Sequence, residues 1–278
     1  MRGSTKCPII IAPDGARVPS LGMGTSGLVS LLKDHNDRVL KSPFRYNFSQ
    51  CDDRAVIRQA QHEQALSARD IQREKAVYER LGQHPCLLRY YKTMGDGICL
   101  EYMPMGTLRN YLTSTAAPSI TASQRRDWIV QATRGLQHLH SNDIIWSDPS
   151  TRNCLLANDL SLRICDFAGS GLQGLAPTVG PCGRSCKSWD ESPSIASDLF
   201  GLGSMIYEIV TETLPFQDLS EEKAQYRFSM GQFPDTEGLA HGEVIWKCWT
   251  GRYQDCRDVL WDIYGNDQQH LILDRRQK

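Results

Sequence analysis

Apolar residues between positions 8 and 41 come in short bursts separated by polar or glycine-rich breaks. Pro8-Ile9-Ile10-Ile11, 28–32 and Arg38-Val39-Leu40-Lys41 read as strands, parted by a glycine-rich turn at 22–27 and a polar turn at 33–37. Short strands joined by tight turns predict an antiparallel meander. From 52 to 81 glycine and proline vanish. Val56, Ile57, Ala60, Leu66, Ile71, Ala76, Val77 and Leu81 recur there at loosely helical spacing, up to Gly82 and Pro85. The span predicts at least one helix and has room for two. Segments 87–94 and 97–102 flank a Gly95-Asp96-Gly97 turn and complete a five-stranded sheet. Beyond Pro104 the periodicity turns helical, over 108–112, 123–140, 198–211, 221–231, 243–250 and 256–264, several of them opened by Ser or Asp caps. A β-rich first third followed by a helical remainder predicts an α+β molecule of two lobes with a cleft at the junction near 101–107.

At about 150 residues per domain, 278 residues suit one large two-lobed domain or two ordinary ones. No repeat and no low-complexity linker divides the chain, which favours one continuous domain over 1–278. Hydrophobic residues at 40% and charged residues at 23% exclude disorder, collagen and coiled coil. Lys+Arg is 31 against Asp+Glu 32, a formal charge of -1, so no global basic field argues for nucleic acid or an anionic membrane. No apolar run approaches the about 20 residues needed to cross a bilayer. The opening Met1-Arg2-Gly3-Ser4-Thr5-Lys6 lacks the apolar stretch of a signal peptide. The expectation is a soluble, cytoplasmic chain, with the nucleus also open to it. Ten cysteines are scattered through apolar segments such as Ile98-Cys99-Leu100, the distribution of reduced core thiols. Cys182 and Cys186 form one close pair, and without a nearby His they read as loop cysteines before they read as zinc ligands.

Three stretches carry chemistry. Gly22-Met23-Gly24-Thr25-Ser26-Gly27 is a G-x-G-x-x-G run, which lets backbone approach phosphate oxygens unobstructed. Taken alone it is equally a glycine hairpin. A dinucleotide-binding turn is excluded because strands flank it on both sides. Lys41 closes a strand, and Glu74 follows within a helix. A lysine held by a helix carboxylate can grip inner phosphates, whereas each of the two by itself reads as a solvated charge. The third stretch is Asp148-Pro149-Ser150-Thr151-Arg152-Asn153, followed after a turn at Asn158-Asp159 by Asp166-Phe167-Ala168-Gly169. Two carboxylates and an amide at these spacings can converge on one cleft edge. A capped turn and a separate loop aspartate would explain either half of the pattern but not both.

With these motifs in order along nearly the whole chain, the sequence resembles a eukaryotic protein kinase, most closely the small single-domain fungal kinases. The resemblance implies a bilobal fold, with a five-stranded antiparallel sheet plus helix over 1–103, a hinge, and a larger helical lobe over 104–278. It implies ATP and Mg2+ as cofactors and a protein as substrate, and it leaves the oligomeric state unassigned. By position, Gly22, Gly24 and Gly27 would cover the phosphates, and Lys41, paired with Glu74, would hold them. Asp148 would orient the substrate hydroxyl, while Asn153 and Asp166 would hold magnesium. Glu101 and Met103 resemble the hinge positions that bond adenine. Leu100 resembles the residue behind them, and Val29, Val39 and Leu155 resemble the apolar sandwich around the base. Tyr78, Tyr90, Trp146 and Phe167 match a stack of side chains, which also reads as ordinary core. Asp198 resembles the helix-opening aspartate that braces the catalytic loop.

The chain departs from the pattern where Trp146-Ser147 replaces the usual His-Arg, where Pro149 replaces leucine, and where Ala168 replaces the glycine after Asp-Phe. Loss of the arginine predicts activity without phosphorylation of the loop at Ser170, Thr178, Ser185, Ser188 or Ser192. Ser150 and Arg152 leave serine/threonine against tyrosine specificity open, with Ser/Thr the commoner class. The main rival is a catalytically silent kinase fold that binds nucleotide and serves as a scaffold. A small-molecule kinase is a third reading. His138 and His140, two apart on one helix, face different sides and make poor joint ligands.

Overall fold

A computed structural model of the protein describes residues 9–16, 20–114, 119–172, 174–178, 180, 183–188 and 191–265. It divides into two compact units, Met1–Gln83 with Leu88–Tyr102, and His84–Leu87 with Met103–Lys278.

The first unit holds β1 (Ile9–Ile10), β2 (Gly22–Met23), β3 (Leu28–Leu31), β4 (Arg38–Ser42), β5 (Tyr46–Asn47), α1 (Arg54–Leu81), β6 (Tyr90–Met94) and β7 (Gly97–Glu101). Its main sheet has five antiparallel strands in the order β2-β3-β4-β7-β6. The first predicted strand is not among them. β1 pairs instead with β5 in a sheet of its own, and β2 takes the edge. Ile9 and Ile11 stay exposed outside the core, while Gly24 N–H donates to Gly27 O at 3.0 Å and folds the glycine run into a hairpin. Glycine lacks a side chain to register in a hydrophobic pattern, so an edge strand that starts on Gly22 reads only as a turn.

The span 52–81 forms one helix of 28 residues. Nothing interrupts it, and both ends are capped. The Asp53 carboxylate accepts from the N–H groups of Ala55 and Val56, and Gly82, at φ 63°, sends its N–H back to Tyr78 O. Ala60, Ser67, Ile71, Glu74, Val77, Tyr78 and Leu81 are the buried residues, a stripe at helical spacing. Ser67 Oγ donates to Ser26 O at 2.7 Å and accepts from Phe44 N–H at 3.0 Å, which fastens the glycine hairpin and the 42–47 segment to the helix.

The second unit is built on α2 (Leu108–Leu112), α3 (Ala122–Ser141), α4 (Ile195–Thr211), α5 (Glu221–Ser229), α6 (Gly242–Trp249) and a last helix, α7, over 256–265. A short antiparallel hairpin, β8 (Cys154–Leu156) and β9 (Leu162–Ile164), carries the segment between the two acidic motifs. Helix α4 is buried along most of its length and packs against α3 and α6. A helix apolar all round belongs in a core, and this one is the post on which the unit is assembled. Trp128, Trp146, Phe167, Phe228 and Trp249 are fully buried. The eight described cysteines are free thiols, while Cys7 and Cys182 lie outside the described residues. No described helix is long and apolar enough to cross a membrane.

Candidate active site

In the first unit, Lys41 stands on β4 between Val29 of β3 and Ile98 of β7. This central position buries the lysine stem to 7% exposure and aims its ammonium at Glu74, a quarter of the way back from the end of α1. Lys41 Nζ lies 2.6 Å from Glu74 Oε2, and Glu74 is 1% exposed. A buried charge of either sign would be costly alone, so the pair fixes both side chains. Gly27 is required by the fold itself: a Cβ there would lie 2.4 Å from Ser42 O. Gly22 and Gly24 are different. Both are exposed, and an added Cβ would meet nothing closer than 3.9 Å. The fold leaves these two positions sterically open. Val29 is half-buried, Val39 is buried, and Glu101 is half-buried at the end of β7 with its N–H bonded to Arg89 O at 2.9 Å. Tyr78 and Tyr90 stack with centroids 5.7 Å apart.

In the second unit, Asp198 at the start of α4 organises the segment that leads into Asp148. Its Oδ2 accepts from Trp146 N–H at 2.8 Å and its Oδ1 from Ser147 N–H at 2.9 Å. His140 Nε2 lies 3.0 Å from the same carboxylate. These bonds hold Ser147 at φ 73°, a left-handed conformation that non-glycine residues rarely adopt. Two residues on, the Pro149 ring packs where a Cβ on Gly201 would come within 2.9 Å, so proline at 149 is matched by glycine on α4.

Asp148 and Asn153 meet directly. Asn153 Nδ2 donates to Asp148 Oδ2 and to Asp148 O, both at 3.0 Å. Asp148 Oδ1 is buried with no hydrogen-bond partner. Burial pushes the Asp148 carboxyl above the usual carboxylate range, and the charge of Asp166 adds to the rise, against the pull of Arg152, the Asn153 amide and Arg109. Asp166 takes φ 61° and Ala168 does not take a positive φ. The backbone freedom of glycine is therefore not used at 168, and alanine fits. Leu155 is half-buried between buried Cys154 and Leu156, and Met103 is buried, its carbonyl accepting from Gly106 N–H at 3.2 Å.

Two features of the site escape sequence reasoning. Trp146 Nε1 donates to Cys165 O at 3.2 Å, with Asp166 O at 3.4 Å, so the indole holds the second acidic motif by its backbone. Arg109 on α2 forms a two-pronged bond with Glu208 on α4, at 2.7 Å and 2.9 Å, and Thr151 Oγ1 donates to the same carboxylate at 2.6 Å. This knot pins the turn that presents Asn153. Its signal was Glu208 itself, a lone carboxylate near the end of an apolar run. Ser170, grouped above with loop phosphorylation positions, is fully buried, and its hydroxyl donates to Trp146 O at 3.0 Å. It belongs to the core and is no exposed acceptor.

The donor set fits a magnesium ion. Among the described residues no three His, Cys, Asp or Glu side chains converge as a metal cage. Magnesium, however, is usually held by one or two carboxylates together with substrate phosphates. Asn153, bonded to Asp148, and Asp166, whose charge acts on Asp148, carry side-chain oxygens of the required kind, next to the buried and unpartnered Asp148 Oδ1. Taken by itself, each unit can do one thing: the first can grip an anion with a fixed ammonium, and the second can hold a cation beside an oriented carboxylate.

Comparison with known proteins agrees with the geometry. The family model described as protein tyrosine and serine/threonine kinase matches residues 21–176, more than half of the chain. The chain is 26% identical to the serine/threonine-protein kinase PLK4 of Drosophila willistoni, over 70% of this chain and 26% of that protein. It is 24% identical to the mitogen-activated protein kinase kinase kinase mom-4 of Caenorhabditis elegans, over 82% of this chain and 43% of that protein. With a cAMP-dependent protein kinase catalytic subunit-like protein of Caenorhabditis briggsae the identity is 24%, over 93% of this chain and 69% of that protein. The chain thus spans less than half the length of the first two of these relatives.

Proposed function

Since the chain belongs to the protein tyrosine and serine/threonine kinase family, we propose that it transfers the γ-phosphoryl group of ATP to a serine or threonine hydroxyl of a protein, without needing a phosphate on its own activation loop. The observation that carries this reading is the buried Lys41–Glu74 ion pair at 2.6 Å. A buried lysine aimed by a helix carboxylate is what phosphoryl transfer needs, because its catalysis is almost entirely positioning and charge neutralisation.

Each residue then has a chemical task. Lys41 binds the α- and β-phosphates, and Glu74 keeps its ammonium charged and oriented. The open backbone at Gly22 and Gly24 approaches the phosphates and shields them from water. Glu101 and Met103 offer backbone groups to adenine, Val29 and Val39 offer the base apolar side chains of the first unit, and Leu155 offers one of the second. Asp148 accepts the proton of the attacking hydroxyl, oriented by the Asn153 amide. Asn153 and Asp166 are the residues that would hold magnesium, and when bound the ion neutralises charge on the phosphate oxygens. The loop-independence rests on Ser147, which stands where an arginine would answer a loop phosphate and whose N–H is bonded to Asp198. Serine/threonine specificity is supported by the likeness to the serine/threonine-protein kinase PLK4 of Drosophila willistoni.

The test is transfer of labelled γ-phosphate from Mg-ATP to the chain itself and to a peptide array, wild type against Asp148→Asn. Transfer to serine or threonine peptides by the wild type alone is expected. No transfer, with ATP still raising the melting temperature, would overturn it in favour of a nucleotide-binding scaffold.

A further inference from the structure

The second unit carries a cavity of about 680 Å3 lined, among others, by His84, Cys86, Arg134, His138, Asp159 and Arg163. None of these residues has a part in the reaction above. The cavity is electropositive. Arg134 Nη2 donates to Tyr264 OH at 2.8 Å and Arg163 Nη1 to Leu162 O at 3.1 Å, both neutral acceptors. Among the described residues no carboxylate forms an ion pair with either guanidinium. Asp159 is the one acidic side chain of the lining. Its carboxylate already accepts from Ser161 N–H at 2.9 Å.

The imidazoles of His84 and His138 lie parallel, 4.4 Å between centroids and 13° between planes. Cys86 N–H donates to His84 Nδ1 at 3.2 Å, so neutral His84 carries its proton on Nε2 and acts as a donor. Burial holds the His84 imidazole below its ordinary value, and His138, Arg134 and Arg163 push it the same way. Burial also raises the Cys86 thiol, which stays neutral. The fixed charges are thus two guanidiniums against one carboxylate, on which the charge of Arg163 also acts.

We propose that this cavity binds a phosphate monoester, carried by a small molecule or by a phosphorylated side chain. Two guanidinium forks present more N–H donors than a carboxylate's two oxygens can accept, whereas the three terminal oxygens of a phosphate monoester can engage both. The volume lies within the range of about 300–1,000 Å3 usual for ligand pockets, room for the body that carries the phosphate as well as for the phosphate. None of the lining residues serves phosphoryl transfer, so binding of phosphate in this cavity is independent of that reaction.

The experiment is calorimetric titration of the full chain with O-phosphoserine, with a phosphoserine peptide and with serine, each with and without saturating Mg-ADP. Wild type is compared with Arg134→Gln, Arg163→Gln and Asp159→Asn. Both phosphate probes should bind, with or without Mg-ADP, and serine should not. Each arginine substitution should weaken binding about tenfold, the scale of one charge-assisted hydrogen bond, while Asp159→Asn should tighten it. A peptide that binds more tightly than the amino acid identifies a phosphorylated side chain, and equal affinities identify a small molecule. Binding unchanged in the arginine variants, binding abolished by Mg-ADP, or no binding at millimolar probe would each overturn the proposal. Melting curves establish that the variants are folded, as expected for substitutions of partly exposed side chains.

Discussion

Trp146 gives its indole N–H to the main-chain oxygen of Cys165, 19 positions further on, at 3.2 Å. Asp166 is the next residue, and the same N–H lies 3.4 Å from its carbonyl. A side chain from the first acidic motif therefore sets the backbone of the second. Trp146→Phe keeps the ring in the core and removes the donor. We expect the melting temperature to fall by a few degrees and kcat to fall about tenfold, equivalent to about 1.4 kcal/mol, with the KM for ATP raised as the Asp166 carboxylate loses its setting. Trp146→His, which restores an N–H, should recover part of kcat. Equal kcat in Phe and His variants would refute a positioning role for the indole.

The Lys41–Glu74 pair separates stability from chemistry. Removing one partner leaves a buried charge uncompensated, a cost of about 3–5 kcal/mol. Lys41→Met or Glu74→Gln should therefore lower the melting temperature as well as abolish or sharply reduce transfer. The double variant Lys41→Met/Glu74→Met replaces both charges with apolar volume and should regain most of the stability while staying inactive. Thermal melts and a γ-phosphate transfer assay on the three proteins check this, and activity in the double variant would show that the pair is structural only.

Much of the site was readable because its residues are close in sequence or stand at chemically restrictive spacings. Asp148 and Asn153 meet within one turn, and the hairpin at 154–164 returns the chain to Asp166. Lys41 was legible from a strand and Glu74 from a helix, although only the fold brings them to 2.6 Å. Strand β1 was misplaced because three consecutive isoleucines outweigh glycines in any hydrophobic pattern, yet the glycines supply the register to β3. The Arg109–Glu208 bond spans 99 positions, and the partner of the Trp146 indole is a backbone oxygen without a residue-type signature. Contacts of that kind leave no local trace. The helix at 54–81 came out single because no residue within it stops helical propagation and each end is capped.

The glycines at 24 and 27 should respond differently to alanine. At Gly27 a Cβ would lie 2.4 Å from a β4 carbonyl, so the strand must shift and the hairpin loosen. At Gly24 the nearest atom is 3.9 Å away, and the methyl group projects into open space. Gly27→Ala should lower stability by about 1–3 kcal/mol, the usual range for overpacking. Gly24→Ala should melt with the wild type and lose ATP affinity. Melting curves with and without Mg-ATP distinguish the two, and equal loss of stability in both variants would contradict the assignment.

Loop phosphorylation should be dispensable, with one position excepted. Thr178→Ala, Ser185→Ala, Ser188→Ala and Ser192→Ala combined should leave turnover within about twofold of wild type, because no arginine precedes Asp148 to read a loop phosphate. Ser170→Ala should differ, since its buried hydroxyl bonds Trp146 O. Loss of turnover in the fourfold variant with its fold intact would mean that a loop phosphate is read by some other residue.

Asp148 is held at a cost. One oxygen is bonded to Asn153, the other is buried without a partner, and burial raises the carboxyl above its ordinary range. For an acid whose folded value exceeds its unfolded one, the folded state prefers the proton. Its contribution to stability is full at low pH and is lost as pH rises through the folded value, so at neutral pH the ionised group destabilises the fold. Asp148→Asn keeps the shape, preserves an acceptor for the Asn153 amide and removes the charge. The variant should melt a few degrees higher than wild type at neutral pH, and the difference should shrink as pH falls and wild-type Asp148 takes up its proton. Transfer should be lost at every pH. In the wild type kcat/KM should rise with pH along a limb displaced above that of an ordinary carboxylate, because only the ionised form accepts the hydroxyl proton. Paired melts and transfer assays across the acid range test both halves, and a variant less stable than wild type at neutral pH would show that the charge is better compensated than its unpartnered oxygen indicates.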